Sequence, residues 1–265
     1  MLLLVTMECL LSATFLRSLC MAGTIPDAIF VADRDAHGYQ RVQTRVNLIR
    51  NDDRVDQIAH RYGITLFRVN DWNLVPDAFL TQFAMILVAC YPKKLPAARF
   101  LRIGVPAWNV HPSALPALRG PDPLFYVARG DAEPAVTIHE LDVTYDTGPI
   151  IATLPVDLSE ECTERQTIIT HATVAADLYR YTTNHLHTPF PQGDSENQRW
   201  AAIPTAEDFT LRPEWTMRRT ARFVMMTDMR NQPYRVPEAD LWVRRIEAHG
   251  QIPIRCVDGV LMASL

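Results

Sequence analysis

Three side chains in this sequence have the types and spacing for chemistry at a carbonyl. Asn109 and His111 stand two residues apart in the apolar run Ala107–His111, so in a strand they project from one face. Pro112 cannot donate to a central ladder and ends that strand, which puts both side chains at its carboxyl end. Ligands of open α/β sheets bind along that edge. Asp146 follows in the stretch 141–149, whose turn-forming residues hold it in a fixed loop. The trio offers an amide donor, an imidazole and a carboxylate. When an amine attacks a carbonyl such as a formyl group, negative charge builds on the oxygen, and an asparagine NH₂ with a protonated imidazole stabilises it. A nearby carboxylate favours the imidazolium, or accepts a proton from the amine through water. Nothing in this set calls for a metal or a covalent intermediate. Taken singly, each residue also has a plainer role: Asn109 as a turn cap, His111 as a satisfied core histidine, Asp146 as a residue serving its own loop.

The elements that must position them follow from apolar periodicity. Short apolar runs at Leu2–Thr6, Ala28–Ala32, Thr65–Val69, Met85–Ala89, Ala107–His111 and 135–141 alternate with helical stretches, the pattern of a parallel sheet covered on both faces. In 54–62, Val55, Ile58, Ala59 and Tyr62 share a helical face, with Gly63 as a C-terminal stop. A long helix is expected over 164–186, where Ile168, Ala172, Ala175 and Tyr179 recur at spacings of three and four. Residues 187–206, rich in proline and polar side chains, read as a surface linker. Beyond it, 214–226 reads as helix and Tyr234–Val236, 241–246, 252–257 and 260–263 as short strands. Asp258-Gly259 is a two-residue hairpin signal between the last two. The expected architecture is α/β: an open, mostly parallel Rossmann-like sheet with a small C-terminal subdomain of mixed helix and strands. Residues 1–187 form the catalytic domain, 188–205 the linker and 206–265 the subdomain.

Composition removes several function classes. With 48% hydrophobic and 21% charged residues among 265, the chain can bury a real core and is not disordered. Lys and Arg number 26 against 30 acids, a net charge of −4, which gives no excess of cations for nonspecific nucleic-acid binding. Neither GxGxxG nor GxxxxGK[ST] occurs, so dinucleotide and P-loop chemistry lack their usual cradle. The five cysteines, Cys9, Cys20, Cys90, Cys162 and Cys256, are scattered without a CxxC, which argues against a disulfide framework or zinc knuckle and fits a reducing cytoplasm. Residues 1–23 are apolar enough to suggest a secretory signal, but they lack a basic start and are interrupted by Glu8 and Arg17, so they read as a buried strand and helix. No run approaches the ~20 apolar residues that span a bilayer, and no membrane partner is expected.

The motif Asn109-Val110-His111-Pro112-Ser113-Ala114-Leu115-Pro116, with Arg119-Gly120 and then Asp146-Thr147-Gly148, resembles the signature of the 10-formyltetrahydrofolate-dependent formyltransferases. That family includes glycinamide ribonucleotide transformylase, methionyl-tRNA formyltransferase and the sugar N-formyltransferases. The resemblance runs from about residue 85 to 159. It implies a formyltransferase-type Rossmann-like fold, with Asn109, His111 and Asp146 as catalytic residues and 10-formyltetrahydrofolate as co-substrate. It also implies that Cys90, Tyr91 and Leu95, after one strand, and Leu141, Asp142 and Val143, leading to Asp146, enclose the pterin. There are two departures: Met7-Glu8-Cys9 stands where relatives carry a glycine-containing loop, and Ala114 replaces the usual leucine.

The expected acceptor is a small-molecule amine such as an amino-sugar nucleotide. A weaker resemblance of 204–208, the helix near Trp215 and 252–261 to methionyl-tRNA formyltransferases keeps tRNA as the alternative partner. Arg41, Arg45 and Arg50, in an acid-free stretch, would suit either acceptor, as a basic loop for tRNA or a grip on a nucleotide phosphate. Arg218, Arg219, Arg244 and Arg245 are balanced by a similar number of acids, which gives a tRNA surface less support. Trp108, Phe125 and Tyr126 adjoin the motif and are candidates for the acceptor pocket. His185 and His187 lack a third ligand at metal spacing and read as surface residues. Hydrolysis of the same folate and a turnover-free folate-binding role are further alternatives, and a homodimer is left open.

Overall fold

A computed structural model describes residues 1–32, 54–185, 187–193 and 198–265. Arg41, Arg45 and Arg50 lie outside the described residues. The chain runs β1 (Leu2–Thr6), α1 (Leu10–Met21), β2 (Ala28–Ala32), α2 (Val55–Arg61), β3 (Thr65–Val69), α3 (Asp77–Leu80), β4 (Met85–Ala89), α4 (Ala97–Arg102) and β5 (Ala107–His111). It continues through β6 (Leu118–Arg119), α5 (Pro123–Arg129), β7 (Ala135–Glu140), β8 (Ile150–Pro155), α6 (Glu164–Asn184) and β9 (Arg199–Trp200). Helix α7 (Met217–Met225) and strands β10 (Tyr234–Val236), β11 (Leu241–Val243), β12 (Arg245–Ile246), β13 (Ile252–Cys256) and β14 (Gly259–Ser264) complete it. Among the described residues no helix is long and apolar enough to cross a membrane.

The main sheet has seven strands in the order β3-β2-β1-β4-β5-β7-β8. The first five are parallel, as alternating strands and helices require, because a parallel crossover needs a connecting segment. Two features depart from the sequence expectation. The run at 135–140 pairs antiparallel to β5, and β8, which was not anticipated, pairs antiparallel to β7. At the centre of the sheet both faces are buried, as β1 shows: Leu2 and Leu4 enter the core under α1 and α6, while Leu3 and Val5 enter the core holding Trp72, Phe83 and Phe100. The strand order reverses between β1 and β4, which makes their carboxyl ends the crevice where such sheets bind ligands.

The C-terminal residues pack as expected in kind and differently in detail. Phe209, Trp215, Phe223 and Tyr234 share a third core with Phe125 and Tyr126 of α5, so this segment is seated on the sheet's own helix. Helix α7 starts at Met217, where Thr216 accepts a hydrogen bond from Arg219 N–H as its N-cap. The stretch 241–246 divides into β11 and β12. The final hairpin turns at Val257-Asp258, with Gly259 already paired to Cys256. Residues 190–193 and 198–201 are not a free surface linker. Phe190 bridges to Ile150, β9 pairs with β6, and Ala201 is fully buried.

Candidate active site

Asn109 and His111 leave the end of β5 on the face opposite Val110, and the strand stops at Pro112 as its missing N–H dictates. Asp146 adopts a left-handed backbone, φ 55°, in the loop between β7 and β8. That conformation is held from outside the loop. Gln192 donates to the carbonyls of Asp146 at 2.9 Å and Gly148 at 2.7 Å, and Arg119 donates to Gln192 Oε1 at 2.7 and 3.0 Å. The arginine of the Arg119-Gly120 pair therefore positions the loop through Gln192, while the Gly120 N–H donates directly to Asp146 Oδ2 at 2.9 Å.

The three predicted side chains come together. Asp146 Oδ1 lies 3.4 Å from Asn109 Nδ2, and Oδ2 lies 3.7 Å from His111 Nδ1. A fourth member, His139 of β7, stands directly across the antiparallel ladder from Asn109, with Nε2 3.0 Å from the Asn109 amide and 3.6 Å from Asp146 Oδ1. Its other nitrogen donates to the Glu140 carbonyl at 2.7 Å, so Nε2 accepts from Asn109. Sequence reading missed His139; the one available signal was an imidazole in a mainly apolar strand that also carries Thr137 and Glu140.

The tautomer of His111 is set in the same way. Nε2 lies 2.6 Å from the Leu118 carbonyl, which can only accept, so Nε2 carries the proton and Nδ1 turns its lone pair towards Asp146. His111 is 4% exposed, and burial lowers its pKa below the ordinary imidazole value despite the opposing pull of Asp146. The resting ring is therefore neutral at physiological pH, where the sequence suggested an imidazolium. Burial alone would raise the Asp146 carboxyl, but the facing His111, the His139 ring and the Gly120 N–H hold it down at about 2. The site thus keeps an ionised carboxylate beside a neutral imidazole whose basic nitrogen faces it.

These groups floor a cavity of about 340 Å³, within the size range of small-molecule sites. Cys90, Tyr91, Leu95, Leu141 and Asp142 line it. Val143 does not: its side chain is exposed, and its N–H donates to Asp142. Trp108, Phe125 and Tyr126 do not line it either. Trp108 packs on Tyr179, Phe125 lies in the C-terminal core, and Tyr126 sits beneath the Arg129 guanidinium at 4.7 Å. Among the described residues, the tyrosine and tryptophan side chains at the cavity are Tyr91, Tyr145 and Trp200, the last contributed by β9. His185 and His187 both pack against Tyr181, away from the cleft.

A formyl transferase family profile matches residues 36–179. The chain belongs to that family. Among curated relatives, a methionyl-tRNA formyltransferase from Synechococcus sp. (strain JA-3-3Ab) is 29% identical over 163 residues, covering 58% of this chain and 50% of the relative. One from Roseiflexus sp. (strain RS-1) is 34% identical over 113 residues, covering 41% and 34%. The chain thus spans half or less of the length of these relatives. Among solved structures, the N-formyltransferase of Helicobacter canadensis in complex with folinic acid and dTDP-3-aminofucose superposes with a TM-score of 0.62 at 13% identity, covering 99% of this chain and 98% of that one. WlaRD, a sugar 3N-formyl transferase solved with dTDP and 5-N-formyl-THF, gives 0.63 at 13% identity, covering 99% and 96%. At that identity the structural likeness speaks to the fold.

Proposed function

We propose that this formyl transferase moves a formyl group from 10-formyltetrahydrofolate to the primary amine of a small molecule of the amino-sugar nucleotide class. The observation that carries this reading is the convergence of Asn109, His111 and Asp146 on one point at the sheet's carboxyl edge. The folate supplies an electrophilic formyl carbonyl. The cleft offers its flat ring a wall that includes Tyr91, Leu95, Leu141 and Asp142. The Asn109 amide proton aimed at Asp146 makes a long contact of 3.4 Å, which an oxyanion can replace with a shorter one. The proton lost by the attacking amine finds its acceptor in the space between His111 Nδ1 and Asp146 Oδ2. We assign this chemistry to residues 1–187, with 188–205 as the connection and 206–265 as the C-terminal subdomain.

Two observations favour a small acceptor. The sugar N-formyltransferase structures match this chain over nearly their whole length. Many arginines of the C-terminal segment are also already engaged: Arg218 with Glu160, Arg219 with the Arg129 carbonyl, Arg235 with Asp240 and Arg255 with Glu238. Sequence similarity to methionyl-tRNA formyltransferases supports tRNA as the second reading. Absorbance-monitored release of tetrahydrofolate decides between them. Release is expected with amino-sugar nucleotides; release with initiator Met-tRNA alone would select the second reading. Formate production without any amine would instead indicate a hydrolase. His111→Ala should lower transfer by ~10²- to 10⁴-fold while folate still binds.

A further inference from the structure

Cys9 and Cys90 meet at the point where the strand order of the sheet reverses. Cys9 follows β1 and caps α1, accepting from the Ser12 N–H, and Cys90 follows β4 with a left-handed backbone, φ 56°. Their sulfurs are 3.5 Å apart, with Ser12 Oγ 3.0 Å from the first. Cys90 lines the cavity and is only half-buried, and the buried Cys9 sulfur lies against it, so the pair borders the space that a molecule the size of water or peroxide can enter. The other thiols have different neighbours: Cys162 meets Thr167 Oγ1 and Cys256 meets Thr220 Oγ1. Formyl transfer as described uses neither Cys9 nor the Cys90 sulfur.

We propose that Cys9 and Cys90 form a peroxide-sensitive dithiol in the wall of the cleft, and that its oxidation to a disulfide displaces the loop beginning at Cys90 and closes the site to folate. The claim about folate rests on the function proposed above; the disulfide does not. Of the two thiols Cys9 gives up its proton first: its contact with Cys90 holds it below its usual range against the opposing effect of burial, while Cys90 is pushed up. The Cys9 sulfur attacks one peroxide oxygen, the O–O bond breaks, and the departing hydroxide takes up a proton and leaves as water. The Cys90 sulfur then attacks the resulting sulfenic acid, the S–O bond breaks, and a second water leaves with the Cys90 proton. One peroxide is reduced to two waters as two thiols become one disulfide. Closing from 3.5 Å to the ~2.05 Å of an S–S bond moves the sulfurs together by about 1.5 Å, and Cys90 is the first residue of the loop that also carries Tyr91 and Leu95.

Hydrogen peroxide added to the purified full chain is expected to yield a species 2 Da lighter, with a tryptic peptide joining Cys9 to Cys90 and with Cys20, Cys162 and Cys256 still alkylatable. Cys90→Ser should stop at a Cys9 sulfenic acid that dimedone traps, and Cys9→Ser should leave Cys90 unoxidised at the same peroxide dose. Preferential oxidation of any other thiol, or the same mass loss in Cys9→Ser, would overturn the site. Tetrahydrofolate should bind the oxidised chain at least tenfold more weakly, with recovery in dithiothreitol. Equal binding by the reduced and oxidised forms would remove the closure. No binding by the reduced form would count against the folate reading and leave the peptide map standing.

Discussion

His111 has one ring nitrogen committed to the Leu118 carbonyl and the other facing Asp146, and this arrangement fixes how its charge follows pH. Burial holds its pKa below the ordinary value of 6.5, so Nδ1 is free to take a proton at neutral pH and is occupied only in acid. With Asp146 ionised down to about pH 2, the acid limb of kcat belongs to His111 and lies below pH 6.5. A pH–rate profile whose acid limb fell above that value would contradict this assignment. Asn109→Ala removes the proposed oxyanion donor and should lower kcat by ~10²- to 10³-fold with little change in folate affinity, measured by steady-state kinetics and equilibrium binding. The resemblance of the whole motif to the formyltransferases is what set the three side chains together, while the strand end at Pro112 and the loop around Asp146 were legible from local residues. His139 was not, because its place beside Asn109 depends on an antiparallel register that no local pattern records.

At the scale of elements, the loop between β7 and β8 is where the site is most sensitive. A Cβ on Gly148 would lie 1.9 Å from the Glu140 carbonyl oxygen, a backbone atom of the strand the loop leaves. Gly148→Ala must therefore push the loop outward, breaking the Gln192 contact to the Gly148 carbonyl and shifting Asp146. The expected result is a loss of about 1–3 kcal/mol in stability and a fall in kcat comparable to that of an Asp146 substitution, read by denaturant unfolding and by turnover. Wild-type kcat in this variant would show that the loop is not held as described. β1, β2 and β4 were legible because each is an apolar run bounded by turns and buried almost throughout, and the mostly exposed edge strand β3 was legible from its place in the alternation of strands and helices. β8 was not, because its last four residues, from Ala152 onwards, are partly or largely exposed and carry no apolar continuity. The segment 188–205 read as linker because its proline and polar content describes its local conformation. The contacts of Gln192 and Trp200 with the cleft are long-range and leave no local trace.

Across the whole molecule, the C-terminal segment is joined to the catalytic sheet by a buried charge cluster that also lines the cleft. Arg230 donates to both Asp122 oxygens at 2.5 and 3.0 Å and to Glu164 at 2.8 Å, and all three side chains are nearly inaccessible. Removing the cation leaves two carboxyls without their partner, so Arg230→Leu should cost about 3–5 kcal/mol in denaturant unfolding. One arginine balances one carboxylate, and the second carboxyl keeps its proton: burial pushes Glu164 up to about 7 against the pull of Arg230, while Asp122 pairs with the guanidinium through both oxygens. Because folded Glu164 holds its proton more tightly than the unfolded chain does, its contribution is fully present below about pH 4.5. It is lost as pH rises through 7, on the order of 3 kcal/mol in total. His111 and His171, the latter pushed down to about 4 by burial, act with the opposite sign over part of the same window, so the readout is a difference between two proteins. Glu164→Gln fixes the neutral state without changing the shape. Relative to wild type, its stability should gain steadily from pH 4.5 to 7 in urea unfolding. Parallel stability curves for the two proteins would mean that Glu164 is already ionised in the fold and that Arg230 balances both acids at once.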